Sequence, residues 1–588
     1  ASELARLEQA ARSRSEADWI VGMNATRAAT IRLRSSFDGA VSLGRVQTPT
    51  LAILARREEE IRAFEPEPYW LVDATFEPQA GEPGRRYEGR FHAGPKPRLA
   101  TAEEAEAIVA AVRGQPGEIT KLEKSTKKER APLLYDLTSL QRDANTRYGF
   151  SARRTLAAAQ RLYEEHKALT YPRTNSRFLP GDMVGELKPI AGVVGRQREY
   201  VKAAAYVTGL DLLPLGRVVN DAKVTDHHAI IPTNARHPVD KMSDDDRRVY
   251  DMVARRFLAV FHPDAVFENT RLETTVASHV FRTRGRLLVV PGWRGVYGEG
   301  LDERGGEEDE GADQQLPRLE QGEDVRTLEV ASAEKETKPP RRYSDASLLG
   351  AMETAGKLVD DDELREAMKD SGIGTPATRA AIIERLIDVG YIEREGRSLV
   401  CTEKGLNVIR LLGEHALTSP SMTGDWEHRL GRIEEGEESR ERFMRDIAAF
   451  AGKTVQELDT KLKEVRIPRA NLGPCPVCGR DIVENRKGFS CWSRENPGCG
   501  FVIWKSKAGK TLPAAVAREL IARGRTEKPV TGFKGRSGRS FRARLALMQA
   551  EDGKWRVEFD EPWAREGAKP PEGEEQPAED GAAPAQAA

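Results

Sequence analysis

Trp70-Leu-Val-Asp-Ala-Thr-Phe76 alternates apolar and polar side chains, and Tyr87-Glu-Gly-Arg-Phe91 repeats the pattern. A period of two belongs to a strand with one buried face. Working outward, residues 69–125 read as strand-rich, and so does Thr270–Val290. Helical spacing surrounds them. It runs through Trp19–Ile31 and Val46–Ile61 ahead, through Leu137–Phe261 in between, and from Pro339-Pro340 to Val465 behind. The order helical, strand, helical, strand, helical is read most economically as nesting. The two strand segments share one sheet domain, the outer helical segments join, and the inner helical block closes a ring or arch opposite them.

The 588 residues suggest about four domains at roughly 150 residues each. Apolar residues are 39% and charged residues 31%, enough for sizeable cores under a polar surface. Lys+Arg and Asp+Glu number 92 and 93, which excludes a uniformly basic nucleic-acid binder but leaves room for a basic face. No apolar run reaches the length of a membrane-spanning helix, and the N-terminus lacks the apolar stretch of a signal peptide. A cytoplasmic location is therefore expected. The acidic stretch Asp302–Gln315 reads as a solvated loop, and the Pro/Glu/Ala-rich tail from Pro562 as disordered.

Four of the five cysteines form Cys475-x2-Cys478-x12-Cys491-x7-Cys499, set among Pro474, Pro476, Gly479, Pro497, Gly498 and Gly500. Two such pairs can close a tetrahedral thiolate shell around zinc, a structural site because no coordination position stays open. An unmetallated cluster of core thiols is the competing reading. Cys401 stands alone, as a buried thiol would. Residues 503–545 carry twelve Lys/Arg and two Glu, with Trp504, Phe533 and Phe541 between them. Cations with spaced aromatic faces suit a single nucleic-acid strand, and equally a solvated face over ordinary core aromatics.

Three further segments carry chemistry-bearing residues. Leu169-Thr-Tyr171-Pro-Arg173-Thr-Asn-Ser-Arg177 sets a phenol two positions from a guanidinium. A phenol with an ordinary pKa of about 10 is a poor nucleophile, and a cation beside the attacked phosphate would help it. Asp226-His227-His228-Ala-Ile-Ile-Pro-Thr233 pairs two imidazoles, for phosphate, metal or a plain cap. Gly372-Ile-Gly374-Thr-Pro-Ala-Thr378-Arg379 enters an amphipathic helix at Ala380–Val389, where backbone N–H groups can hold a phosphate or merely turn the chain. Gly44-Arg45-Val-Gln47-Thr-Pro49 is a similar polar turn.

Taken together these segments resemble a type IA DNA topoisomerase of the bacterial topoisomerase III-like group. The resemblance rests, in order, on EADWIVGMNATRA (16–28), SLGRVQTPTLAILARREEEIRAFEP (42–66), LYDLTSLQRDAN (134–145), ALTYPRTNSRFL (168–179), DHHAIIPT (226–233), TKPPRRYSDASLLGAMETAGK (337–357) and GIGTPATRAAIIERLIDVGYI (372–392). The cysteine knuckle and GFKGRSGRSFRARLAL (532–547) resemble the family's C-terminal modules, so the likeness covers about residues 16–547.

The resemblance implies a multidomain α+β fold, with a toroidal core of helical gate and base domains joined by β-rich arms, plus a zinc-ribbon-like module. The expected organisation is 1–65 base, first part; 66–130 arm, first part; 131–265 gate; 266–338 arm, second part; 339–468 base, second part; 469–515 the four-cysteine module; 516–560 a basic accessory module; and 561–588 a disordered tail. It implies that Tyr171 attacks a DNA phosphodiester and becomes linked to the 5′-phosphate, that Arg173 stabilises the phosphate, and that His227 sits beside it. Asn24, Arg27, Arg45, Gln47, Thr375, Thr378 and Arg379 are implied to line a single-strand groove. Such enzymes relax or decatenate DNA without ATP, and no Walker-type loop occurs in the chain. Their substrates are single-stranded and negatively supercoiled DNA, a helicase is a candidate partner, and a nucleoid-associated location follows.

The family also places a Toprim domain, which binds Mg²⁺, before the EADWIVG motif. Only 15 residues precede that motif, and the triplets Asp244–Asp246 and Asp360–Asp362 lie in polar helical contexts unlike a Toprim site. The expectation is a chain lacking Toprim, with little activity alone. The alternative is a non-catalytic single-stranded DNA-binding remnant.

Overall fold

The computed structural model describes residues 2–561 except 35, 38, 80–83, 95, 225, 238, 299–313, 359–371, 466–470, 486, 492–497, 536–539 and 551. The acidic stretch up to Asp313, the triplet Asp360–Asp362 and the tail from Pro562 thus lie outside the described residues. Two compact units are present, one of residues 1–25 and 42–453, the other of residues 26–41 and 454–588. The division falls inside helix α1 (Ser2–Leu33) and helix α13 (Arg440–Leu462).

The first unit is organised by a closed six-stranded barrel. Its strands are β1 (Pro68–Pro78), β2 (Tyr87–Phe91), β3 (Pro116–Glu129), β4 (Ala265–Val276), β5 (His279–Val290) and β6 (Asp324–Glu336), ordered β1-β2-β5-β4-β3-β6. Alternation places Val72, Ala74 and Phe76 of β1 with Leu272 and Phe281 in the barrel core. Helix α3 (Ala102–Val112) adds Ala105, Ile108 and Val112 to that core, and Thr101 caps it by accepting from Glu104 N–H. Phe76 and Phe281 are fully buried, each worth about 1.5–3 kcal/mol of transfer free energy.

Register explains the nesting. Pro68 at the start of β1 pairs with Glu336 at the end of β6, so the chain enters and leaves the barrel on neighbouring strands. Glu129 at the end of β3 pairs with Ala265 at the start of β4, so the inner helical block leaves and returns on a second neighbouring pair. Two antiparallel stems thus carry two helical blocks.

The inner block contains α4 (Leu137–Tyr148), α5 (Ala152–Glu164), α6 (Val184–Val194), α7 (Val201–Gly209) and α8 (Asp244–Ala259) around one apolar core. Arg256 on α8 lies within that core, bonding Asp143 at 2.7 Å, the Tyr135 hydroxyl at 2.9 Å and Leu133 O at 3.0 Å. Asp244 to Asp246 open α8 behind the Ser243 cap, where carboxylates suit a helix N-terminus, and Asp246 binds Arg161 at 2.7 Å. This triplet is structural.

The outer block joins α2 (Gln47–Arg62) and the first part of α1 with α9 (Asp345–Glu353), α10 (Pro376–Asp388), α11 (Glu403–Leu412), α12 (Ser421–Glu435) and the first part of α13. Within this helical stretch a short hairpin, β7 (Ile392–Glu395) with β8 (Ser398–Cys401), departs from the all-helical expectation. Cys401 is buried on β8, and burial pushes its thiol up to about 12, which keeps it neutral. The blocks are tied by Ala152 N–H donating to Asp345, Ala346 N–H donating to Asn145, and Arg177 to Glu353 at 3.3 Å.

The second unit contains a four-stranded sheet, β9 (Asn471–Pro474), β10 (Asp481–Glu484), β11 (Gly488–Ser490) and β12 (Val502–Trp504), followed by α14 (Ala514–Arg523). Two hairpins pair Val530–Lys534 with Ser540–Ala543 and Leu545–Gln549 with Trp555–Phe559. One apolar cluster runs from Leu472 to Phe559, so residues 469–515 and 516–560 share a core rather than forming separate modules.

Candidate active site and metal centre

Tyr171 lies on an irregular loop held by three neighbours. Behind it, Thr170 N–H donates to Ile231 O at 2.9 Å and Ile231 N–H donates to the Thr170 hydroxyl at 3.0 Å. The Thr174 hydroxyl donates to His227 O at 2.8 Å, so the segments 168–179 and 226–233 lie side by side. Asp136 completes the frame. It caps α4 by accepting from Ser139 N–H, and its other oxygen takes Arg177 at 2.7 Å. Leu137 N–H donates to Thr174 O at 3.1 Å.

This frame brings Tyr171, Arg173 and His227 together. The Tyr171 and His227 rings lie 4.3 Å apart, centroid to centroid, and Tyr163 of α5 meets Tyr171 edge-on at 5.4 Å. Arg173 donates to Gln160 of α5 at 3.3 Å. Tyr171 is half-buried and His227 exposed, and no protein group among the described residues bonds the Tyr171 hydroxyl. A half-buried phenol oxygen with an imidazole and a guanidinium nearby is equipped to attack a phosphodiester. Sequence reasoning misses Tyr163 and Gln160, and only their helical spacing, one turn apart on α5, could have signalled a shared face.

The groove residues divide. Asn24, Arg27, Thr375 and Thr378 are exposed, with Asn24 bonding Ile20 O within its own helix and Thr375 N–H donating to Thr378. Gly372 has φ +60°, and a Cβ there would meet Met352 O at 2.3 Å, so only glycine fits this turn before α10. Arg45, Gln47 and Arg379 are interior, contrary to a groove-lining position. Arg45 is 6% exposed, bonds Asp18 at 2.8 Å and Glu427 at 2.7 Å, and lies over the Trp426 ring. Burial opposes its charge, but the two carboxylates outweigh burial and raise its pKa. Gln47 donates to Ser42 O at 2.8 Å. Arg379 is 2% exposed and donates to the Thr138 hydroxyl at 2.9 Å, and burial lowers its pKa. Carboxylates, a hydroxyl and backbone carbonyls occupy donors that a phosphate would need.

The four cysteines converge. Their sulfurs all lie within 4.8 Å of one another, with Cys475–Cys499 at 3.6 Å, Cys478–Cys491 at 3.7 Å and Cys491–Cys499 at 3.5 Å. A tetrahedral site with metal–sulfur bonds of about 2.3 Å has edges of about 3.8 Å, so the set fits a metal ion. Gly498, at φ +64°, stands where a Cβ would touch Cys491 Sγ at 2.8 Å. Among the described residues this is the only grouping of three or more metal-ligand side chains, so those around Tyr171 form no acidic cation site. In the basic segment, Phe533 is fully buried and Phe541 packs against it at 5.6 Å, while Trp504 is 58% exposed. Of the three aromatics, only the indole offers an open face.

Residues 3–445 match the family described as DNA topoisomerase, and residues 498–560 match the C-terminal repeat of topoisomerase. DNA topoisomerase 3 of Bacillus subtilis (strain 168) is 37% identical over 506 residues, covering 85% of this chain and 67% of the relative. DNA topoisomerase 3 of Bacillus cereus (strain ZK / E33L) is 37% identical over 495 residues, covering 83% and 66%. The chain thus spans about two thirds of the length of these relatives. The structure of full-length topoisomerase I from Thermotoga maritima superposes with a TM-score of 0.60 at 22% identity, over 93% of this chain and 78% of that one, which establishes a common fold. Among the described residues no helix is long and apolar enough to cross a membrane.

Proposed function

The chain belongs to the type IA DNA topoisomerase family, topoisomerase III-like in its relatives, and on that premise we propose that it carries the strand-cleaving nucleophile of a DNA-relaxing or decatenating enzyme. The observation behind this reading is the Tyr171–Arg173–His227 cluster, held in one frame by backbone hydrogen bonds between two distant segments. The Tyr171 oxygen bonds to phosphorus of one strand, the bond to the 3′ oxygen breaks, and a 3′-hydroxyl leaves while the phenol proton is lost. Arg173 balances the charge that develops on the phosphate, and His227 orients or donates to it. The phosphotyrosine keeps the phosphodiester energy, so the returning 3′-hydroxyl reseals the strand without ATP. The Mg²⁺ used by the family does not fit the side chains around Tyr171, and no step here runs through it.

In this reading 131–265 is the gate, 1–65 with 339–468 the base, and 66–130 with 266–338 the arms joining them. Zinc, held by Cys475, Cys478, Cys491 and Cys499, supplies cross-linking rather than chemistry. Negative supercoiling or a helicase provides the single strand, which suits a location at the bacterial nucleoid. A binding remnant would not need Tyr171, Arg173 and His227 to converge, which disfavours that alternative. The test compares wild-type and Tyr171→Phe chains, each joined to a Toprim domain and given Mg²⁺. The wild type relaxes supercoiled DNA, whereas the variant loses relaxation and keeps its affinity for single strands. Equal relaxation by both would sink the assignment.

A further inference from the structure

The outer face of the barrel carries an arginine pair with no ion-pair partner among the described residues. On β4 and β5, Leu272, Phe281 and Thr283 are buried, so Arg271, Glu273, Arg282 and Arg284 point outward. Arg271 and Arg284 are directly opposed across the two strands. Two like charges facing one another on a sheet repel at a side-chain separation of about 5 Å. The neighbouring carboxylates do not relieve them. Glu123 stands opposite Arg271 on β3 but is bonded to Lys121 at 2.8 Å, and Glu273 is bonded to Arg282 at 3.0 Å. Both acids are matched, and Arg271 and Arg284 remain exposed without an ion pair among the described residues. They line a shallow cavity of about 290 Å³ that also includes Lys121 and Arg282.

We propose that this concave face binds the phosphodiester backbone of DNA, with Arg271 and Arg284 each taking one phosphate. An anion between the two guanidiniums removes their repulsion, and the planar fork of arginine matches phosphate geometry. Arg271 lies roughly 20 Å along β4 from Ala265, where the strand leaves the inner helical block, so this contact is separate from the loops that bear Tyr171. A strand held here is held by an arm rather than by the nucleophile's own block. The inference rests on the reading of the chain as a DNA enzyme.

The experiment measures affinity of the full chain for a fluorescent single-stranded oligonucleotide of about 30 nucleotides across a range of KCl concentrations. Each phosphate contact contributes about 0.7 to the slope of log affinity against log salt. The double variant Arg271→Gln with Arg284→Gln should lower that slope by about 1.4, and Arg271→Lys with Arg284→Lys should restore it. An unchanged slope in the glutamine variant, with the wild type binding normally, overturns the proposal alone. Failure of the wild type to bind any DNA would overturn the functional reading along with it.

Discussion

Arg45 and Glu427 stand 382 positions apart in sequence and 2.7 Å apart in the folded chain. Removing one partner of such a pair strands a buried charge, so Glu427→Ala should destabilise the surrounding helices by about 3 kcal/mol, with Asp18 limiting the loss. Amide hydrogen exchange along α12 is the measurement. The pH dependence has a definite sign. Burial raises the Glu427 pKa, but Arg45 and Arg14 more than reverse it, leaving it lowered. Its stabilisation is therefore complete above the unfolded carboxylate pKa of about 4.3 and is lost as pH falls through the lower folded value. Protection in α12 should hold at neutral pH and weaken only in acid. Sequence could place Arg45 in a polar turn but could not see Asp18 and Glu427 closing over it. The same holds for Arg379, whose Thr138 partner comes from the other helical block. Tyr171, Arg173 and His227 were legible because their neighbours are short-range motif residues. On that cluster, Arg173→Ala should cut cleavage by the 10²–10³ typical of losing one charge-stabilising donor while leaving binding nearly intact.

The cysteine sheet and the hairpins after it behave as one element, since Phe489, Phe533 and Phe559 share a core. Chelating the metal should thus raise hydrogen exchange across both 471–504 and 530–559 while the barrel stays protected. Cys478→Ser should do the same, and metal analysis of the intact chain should find about one zinc, with none found under reducing conditions contradicting the site. The cysteine spacing was legible because ligand geometry demands it. The shared core was not, because Phe533 and Phe541 fall among cations and look like stacking residues until burial is known. Trp504→Ala should weaken single-strand affinity by the ~1–3 kcal/mol of one stacked base, while Phe541→Leu should leave it unchanged.

At the scale of the whole chain, the barrel registers decide what can move. The inner block hangs from the β3–β4 stem and meets the outer block through a few side-chain contacts, among them Arg177 and Arg142 on Glu353. The alternation in residues 70–76 and 270–290 foretold the strands. Closure did not follow from it, because the β1–β6 pairing joins segments more than 240 residues apart. Everything proposed for the two helical blocks turns on which atom holds the cut strand. The decisive measurement is mass spectrometry of peptides from the Toprim-joined chain, trapped in denaturant after reaction with a single-stranded oligonucleotide and Mg²⁺. One nucleotide-bearing peptide is expected, modified on Tyr171 through a 5′-phosphate. An adduct on any other residue, or a 3′-phosphate linkage, would refute Tyr171 as the nucleophile.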